Sequence, residues 1–173
     1  MKKIIAGLII AASVLSAASC GNNAANETTT EKKETEATVA EVKKEFKASE
    51  VTAAILEEIT INSAFEKSVD SLPDFFTDLD TDSLTDSSYY ICASGAFPDE
   101  IAFFRFKDAD SAKAAEPAVK ERLESQKATY ETYTPDEFYK LEGAVLEVKD
   151  EYLYYLVTSD NDRAKEIVKS FIG

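Results

Sequence analysis

Not one histidine occurs in the 173 residues. That absence removes Ser-His-Asp and Cys-His nucleophilic catalysis, and with them the commonest zinc ligand. Cysteine is almost as scarce, with only Cys20 and Cys92. No paired-cysteine metal spacing is possible, and acylation of Cys20 would leave Cys92 without a partner for an internal disulfide. Cys92 lies in the apolar run Tyr90, Ile91, Cys92, Ala93 with no cation beside it to lower its pKa, so it reads as a small buried hydrophobe. There is no glycine-rich phosphate loop and no nucleophile elbow. A Ser-Lys dyad would leave no signature, and none is singled out. Positive charge is short too: 19 Lys and Arg stand against 33 Asp and Glu, for a net charge of -14. With no basic cluster to interrupt that acidity, nucleic acid and anionic lipid are disfavoured as partners.

What is present begins with an address. Lys2 and Lys3, the apolar residues 4–15 and the small residues 16–19 have the order of a secretory signal. The apolar run is too short to span a bilayer as a permanent helix. Cys20 follows at the cleavage point and precedes a polar tract, which resembles a lipobox whose Cys is acylated and becomes the first mature residue. Ala17 stands where such a motif usually carries Leu. The expectation is a lipoprotein signal over 1–19, with lipidation at Cys20.

Residues 20–45 are mostly Asn, Ala, Thr, Glu and Lys and lack the apolar surface to offset chain entropy, so they read as a disordered acidic tether. Such a tether reaches on the order of 28 Å. Residues 46–173 then make one domain, long enough for a core and too short for two.

Within it, Val51, Ile55 and Ile59 form one stripe of a helix over 49–59, with Ser49 as a plausible N-cap. Residues 65–88 give no firm assignment beyond a turn with buried aromatics and an acidic loop. Residues 89–94 and 100–107 read as antiparallel strands around the breaker 95–99. A helix over 110–128 carries Pro117 too deep for a first turn, which predicts a kink or a late start. Thr134, Pro135 and Glu137 have the spacing of a capping box, with Tyr133 and Phe138 as its staple, for a short helix ending at Gly143. Residues 144–149 and 152–158 read as a hairpin, and 162–171 as a last helix capped by Ser159 or Asp160.

The expected fold is therefore α+β. It has a single antiparallel sheet of about four strands with helices packed on one face, in the order α-ββα-α-ββα. Asp108, Asp110, Ala112 and Lys113 recur as Asp160, Asp162, Ala164 and Lys165 at the same spacing. Either an internal duplication or two independent acidic helix starts would account for this. The strand at 100–104, the helix ending at residues 122–126, the step at Tyr133, Thr134 and Pro135, and the closing hairpin and helix carry a family likeness. Over roughly residues 48–173 the chain resembles a family of small lipoproteins of Gram-positive bacteria known only as a domain of unknown function. The resemblance implies a secreted α+β domain and carries over no catalytic residue.

Two candidate sites emerge. Asp78, Asp80, Asp82 and Asp86 alternate as calcium-loop ligands do, but Ser83 stands where a turn glycine belongs and Tyr89 where a closing Glu belongs. They read as a solvated acidic loop. Tyr152 and Tyr154 share one strand face, and together with Phe97 and Glu100 in the loop region they are the candidate binding residues for a peptide or wall glycan. Metal, cofactor and catalytic residues are not expected. The reading is an extracytoplasmic lipoprotein at the outer face of the cytoplasmic membrane, attached through Cys20, with a non-catalytic domain for an envelope protein or peptide. The alternatives are an envelope enzyme with an unrecognised site and a calcium-dependent structural accessory.

Overall fold

The computed structural model describes residues 45–173, so Cys20 and the signal and tether assignments lie outside the described residues. In chain order the elements are α1 (Ala48–Glu58), β1 (Ala64–Lys67), β2 (Leu84–Cys92), β3 (Glu100–Phe106), α2 (Ala109–Tyr133), α3 (Tyr139–Glu142), β4 (Val145–Lys149), β5 (Tyr152–Val157) and α4 (Asn161–Ile172), with three short 3-10 turns between them. All pairings in the sheet are antiparallel, and its order is β1-β2-β3-β5-β4.

The two central strands, β3 and β5, explain the architecture. Nearly every side chain on both faces of each is buried. A strand that is apolar on both faces needs cover on both. On one face α2 packs on Ala102, Phe104, Leu153 and Tyr155, and on the other α1 and α4 pack on Ile101, Phe103, Tyr152, Tyr154 and Leu156. The sheet thus has helices on two faces rather than one. Val51 and Ile55 of α1, with Ala164 and Val168 of α4, supply the apolar stripes that close the second face.

The α+β expectation holds with one strand more than expected. β1 is the addition: four residues that pair with the outer end of β2 from Ala64 opposite Cys92 to Lys67 opposite Tyr89. Its side chains are largely exposed, including Phe65, so it lacks the alternation that marks a half-buried strand. Between β1 and β2 the chain places Leu72, Phe76 and Leu79 in the core beneath α2.

Local starts and stops differ in detail. α1 begins one residue before Ser49, and the Ala48 N–H donates to Asp86 Oδ2 of β2 at 2.7 Å, so a carboxylate from another element serves as its cap. α2 runs unbroken through Pro117, which lies on the exposed face where solvent reaches the carbonyl that the missing N–H would have bonded. Thr134 closes α2 through its own N–H, and its hydroxyl makes no capping bond. The expected capping box and staple are not formed: Tyr133 is 69% exposed, and residues 135–137 are a single 3-10 turn ahead of α3.

The repeated Asp pattern has a local explanation. Asp108 accepts from Ser111 N at 2.7 Å and caps α2, and Asp160 accepts from Arg163 N at 3.0 Å and caps α4. A two-fold exchanging the antiparallel neighbours β3 and β5 would stand normal to the sheet and put both helices on one face. They lie on opposite faces. The similarity is a shared helix start rather than a two-fold repeat.

Candidate functional site

The loop 93–99 joins β2 to β3, and ionisable groups gather where it meets α2 and α3. It turns at Gly95, whose φ of 65° only glycine adopts without strain, and the Gly95 N–H bonds back to Cys92 O at 3.1 Å. The Tyr130 hydroxyl donates to Gly95 O and Phe97 O from the last turns of α2, at 2.9 and 3.1 Å. Two consecutive carboxylates follow, and both are buried.

Asp99 receives both its bonds from Lys140 Nζ, at 3.0 and 2.9 Å, and Glu137 pairs with the same ammonium at 2.7 Å. Burial pushes the Asp99 carboxyl up from the usual aspartate range, against the pull of Lys140. For Lys140 burial works against the charge, yet the bonds to Glu137 and Asp99 leave its pKa raised, so it stays an ammonium.

Glu100 points to the α2 face, where Arg122 Nη2 and Nε (3.3 Å) and Gln126 Nε2 bind its carboxylate. Burial pushes its pKa up, opposed by Arg122. Below it Tyr89 and Tyr155 flank the small Ala102 in one row of the sheet, fully buried. The Tyr155 hydroxyl has no hydrogen-bond partner among the described residues, the Tyr89 hydroxyl lies against the Glu100 carboxylate, and burial with the nearby Glu100 charge drives both phenols far above their ordinary pKa. A depression of about 160 Å³ opens over Arg122 between Phe75, Thr77 and Ser125.

The four sequence candidates separate. Glu100 and Phe97 belong to this loop cluster, with the Phe97 ring 5.4 Å from Lys140 Nζ. Tyr152 and Tyr154 do not: they are buried beneath α1 and α4 on the opposite face, so they form no exposed aromatic surface. Tyr152 stacks on Phe46 at 5.7 Å, and the Tyr154 hydroxyl donates to Glu147. The acidic loop is also taken up locally. Asp80 Oδ1 accepts from Asp82 N at 3.2 Å, and the Asp86 carboxylate takes Ala48 N and Ser87 N. Among the described residues no three His, Cys, Asp or Glu side chains converge as ligands would.

The sequence reading missed Asp99, Lys140, Arg122, Gln126 and the two phenols. One signal was there. Arg122, Gln126 and Tyr130 fall at i, i+4 and i+8 and continue the buried stripe of Ala115 and Val119, so polar groups run along the core face of α2. Chemically, each buried carboxylate is held by a cation and neither is a free acid or base. The arrangement locks the loop 93–99 onto the helices.

The matched span of a family model covers this whole cluster. Residues 57–158 match the domain of unknown function DUF4358. The chain belongs to that family. The matched part of this DUF4358 domain takes in all five strands, α2 and α3, whereas α4 and most of α1 lie outside it. No curated protein and no solved structure matches the chain.

The open surface lies elsewhere. A groove of about 960 Å³ runs past Phe46, Lys47, Glu50, Asp86, Arg105 and Asp108, and a second of about 660 Å³ past Glu66, Lys67, Thr81 and Ser87. Both mix cationic and anionic side chains. No described helix is long and apolar enough to cross a membrane.

Proposed function

We propose that this DUF4358 chain is a lipoprotein of the Gram-positive cell envelope. Acylated at Cys20, it displays a non-catalytic binding domain at the outer face of the cytoplasmic membrane. The anchor rests on the order of charged, apolar and small residues before Cys20. The binding role rests on one observation: the buried carboxylates Asp99 and Glu100 are tied into ion pairs beside the loop 93–99, while the open grooves are of mixed charge. That suits recognition of a protein or peptide segment better than it suits chemistry, which needs an acid, base or nucleophile facing substrate.

Two measurements test the two halves. Labelling of growing cells with a radioactive fatty acid should mark the wild-type chain and not Cys20→Ser, and the variant should leave the membrane fraction in folded form. Firm membrane association of Cys20→Ser would overturn the anchor. For the domain, a photo-crosslinking residue at Arg105 in the larger groove should yield one discrete adduct in native membranes. The same residue at Lys113, outside both grooves, should not. Equal yields from the two sites would overturn the binding role.

A further inference from the structure

The two edges of the sheet are treated differently. On one side β1 is only four residues long, and where β2 runs beyond it the edge is guarded. The Ser87 N–H is taken by Asp86 Oδ1 at 2.9 Å, and the register slips between Leu84 and Asp86. Bulges and blocked amides of this kind prevent a strand from recruiting another. β4, at the other side, carries none of these devices. Its five residues pair with β5 without a break from Val145 opposite Leu156 to Lys149 opposite Tyr152, and they include no proline or glycine. Among the described residues nothing pairs with its outer edge. Val145, Leu146 and Val148 along it are only partly buried.

We propose that β4 pairs antiparallel with β4 of a second copy of this chain, joining two five-stranded sheets into one across a two-fold axis. Charge selects the register. A two-fold through Val148 sets Val148 against itself and Glu147 of each copy opposite Lys149 of the other, on the α4 face. A two-fold through Glu147 would face like charges, and one through Leu146 would set Val145 against Glu147 and leave Lys149 uncompensated. Glu147 already holds Lys165 and the Tyr154 hydroxyl, which fixes its carboxylate in place at this edge. A carboxylate has lone pairs left for a third donor. Lys149 is exposed, and its contact with the Gly173 carbonyl is a surface one that exchanges readily.

In either kind of antiparallel pair, Val148 and its mate would stand about 4.5–5.5 Å apart at Cα, within disulfide range. The test uses the purified full-length chain carrying Val148→Cys, oxidised and run without reductant. It should give at least tenfold more disulfide dimer than Lys113→Cys or the parent chain, which controls for Cys20 and Cys92. Adding Lys149→Glu should remove most of that product. Yields no higher than the Lys113→Cys control would overturn the pairing, and efficient linkage through Leu146→Cys instead would overturn the register. Sedimentation of the unsubstituted chain is an independent readout that leaves the half-buried Val148 untouched. It should show a dimer that Lys149→Glu converts to a monomer, and a wild-type monomer at tens of micromolar would sink the proposal.

Discussion

Glu100 of β3 and Arg122 of α2 form a two-point ion pair inside the domain, with the carboxylate only 3% exposed and the guanidinium 22%. Asp99, one residue earlier, is held by Lys140 in the same way. The connection between β2 and β3 is therefore fastened by two cations from two different helices, and a carboxylate buried this deeply is tolerated only with such a partner.

Arg122→Met should destabilise the domain by about 3 kcal/mol at neutral pH, because it leaves the Glu100 carboxylate buried without a counter-charge. The double variant Glu100→Gln, Arg122→Met removes the stranded charge and should regain at least half of that loss. Chemical denaturation of the three proteins makes the comparison. A double variant no more stable than the single would show that the bonds, rather than the stranded charge, set the cost.

Tyr155 gives a prediction of the opposite sign. A buried hydroxyl without a partner costs desolvation and returns nothing, so Tyr155→Phe should be neutral or stabilise by about 1 kcal/mol, whereas Tyr89→Phe, which removes a hydroxyl lying against the Glu100 carboxylate, should destabilise. Thermal unfolding of each variant decides. A loss above about 1 kcal/mol for Tyr155→Phe would contradict its hydroxyl's lack of a partner.

The helix starts at Asp108 and Asp160 should behave as independent caps. Alanine at either should cost about 1 kcal/mol, and the two losses should add, since the helices lie on opposite faces of the sheet. A double variant that departs from the sum by more than about 0.5 kcal/mol would contradict this separation.

How much of this was legible in the sequence depends on whether the cause is local. The strands at 100–107 and 152–158, the last helix and the stop at Gly143 follow from side-chain period and turn chemistry, and the structure has them within a residue or two. The acidic helix starts were visible for the same reason. Thr134 shows where local reasoning fails. Its neighbours spell a capping box, but α2 extends to Tyr133 and requires Thr134 as its own terminus. The second helical face was readable in principle, because residues 152–157 are apolar at both parities and so demand cover on both sides. Reading Tyr152 and Tyr154 as an exposed set overlooked that run. Lys140 and Arg122 escaped because only the fold brings residues 41 and 22 places away in sequence against Asp99 and Glu100.

The buried carboxylates also fix how stability responds to acid. Asp99 and Glu100 have folded pKa values raised above their ordinary values of 3.8 and 4.5. Between those ordinary values and the higher folded ones the folded protein binds more protons than the unfolded chain, so stability rises as pH falls through that window. Glu147, Glu58 and Asp108 act in the opposite sense. Burial opposes the charge on Glu147, but its bonds to Lys165 and Tyr154 leave its pKa lowered. Glu58 is lowered by its bond to Arg163, and Asp108 by its bonds to Ser111. The stability these three contribute is present above their ordinary pKa values and is lost as pH falls through the folded ones, below about pH 4. Melting temperature should therefore rise on mild acidification from neutral pH toward the ordinary carboxylate values, and fall below about pH 4. Relief of repulsion in so acidic a chain would also raise it on mild acidification. The variants Asp99→Asn and Glu100→Gln separate the two causes. Each should flatten the rise on mild acidification, whereas Asp82→Asn, on the surface loop, should leave it as it is. An unchanged rise in both buried variants would assign it to net charge alone.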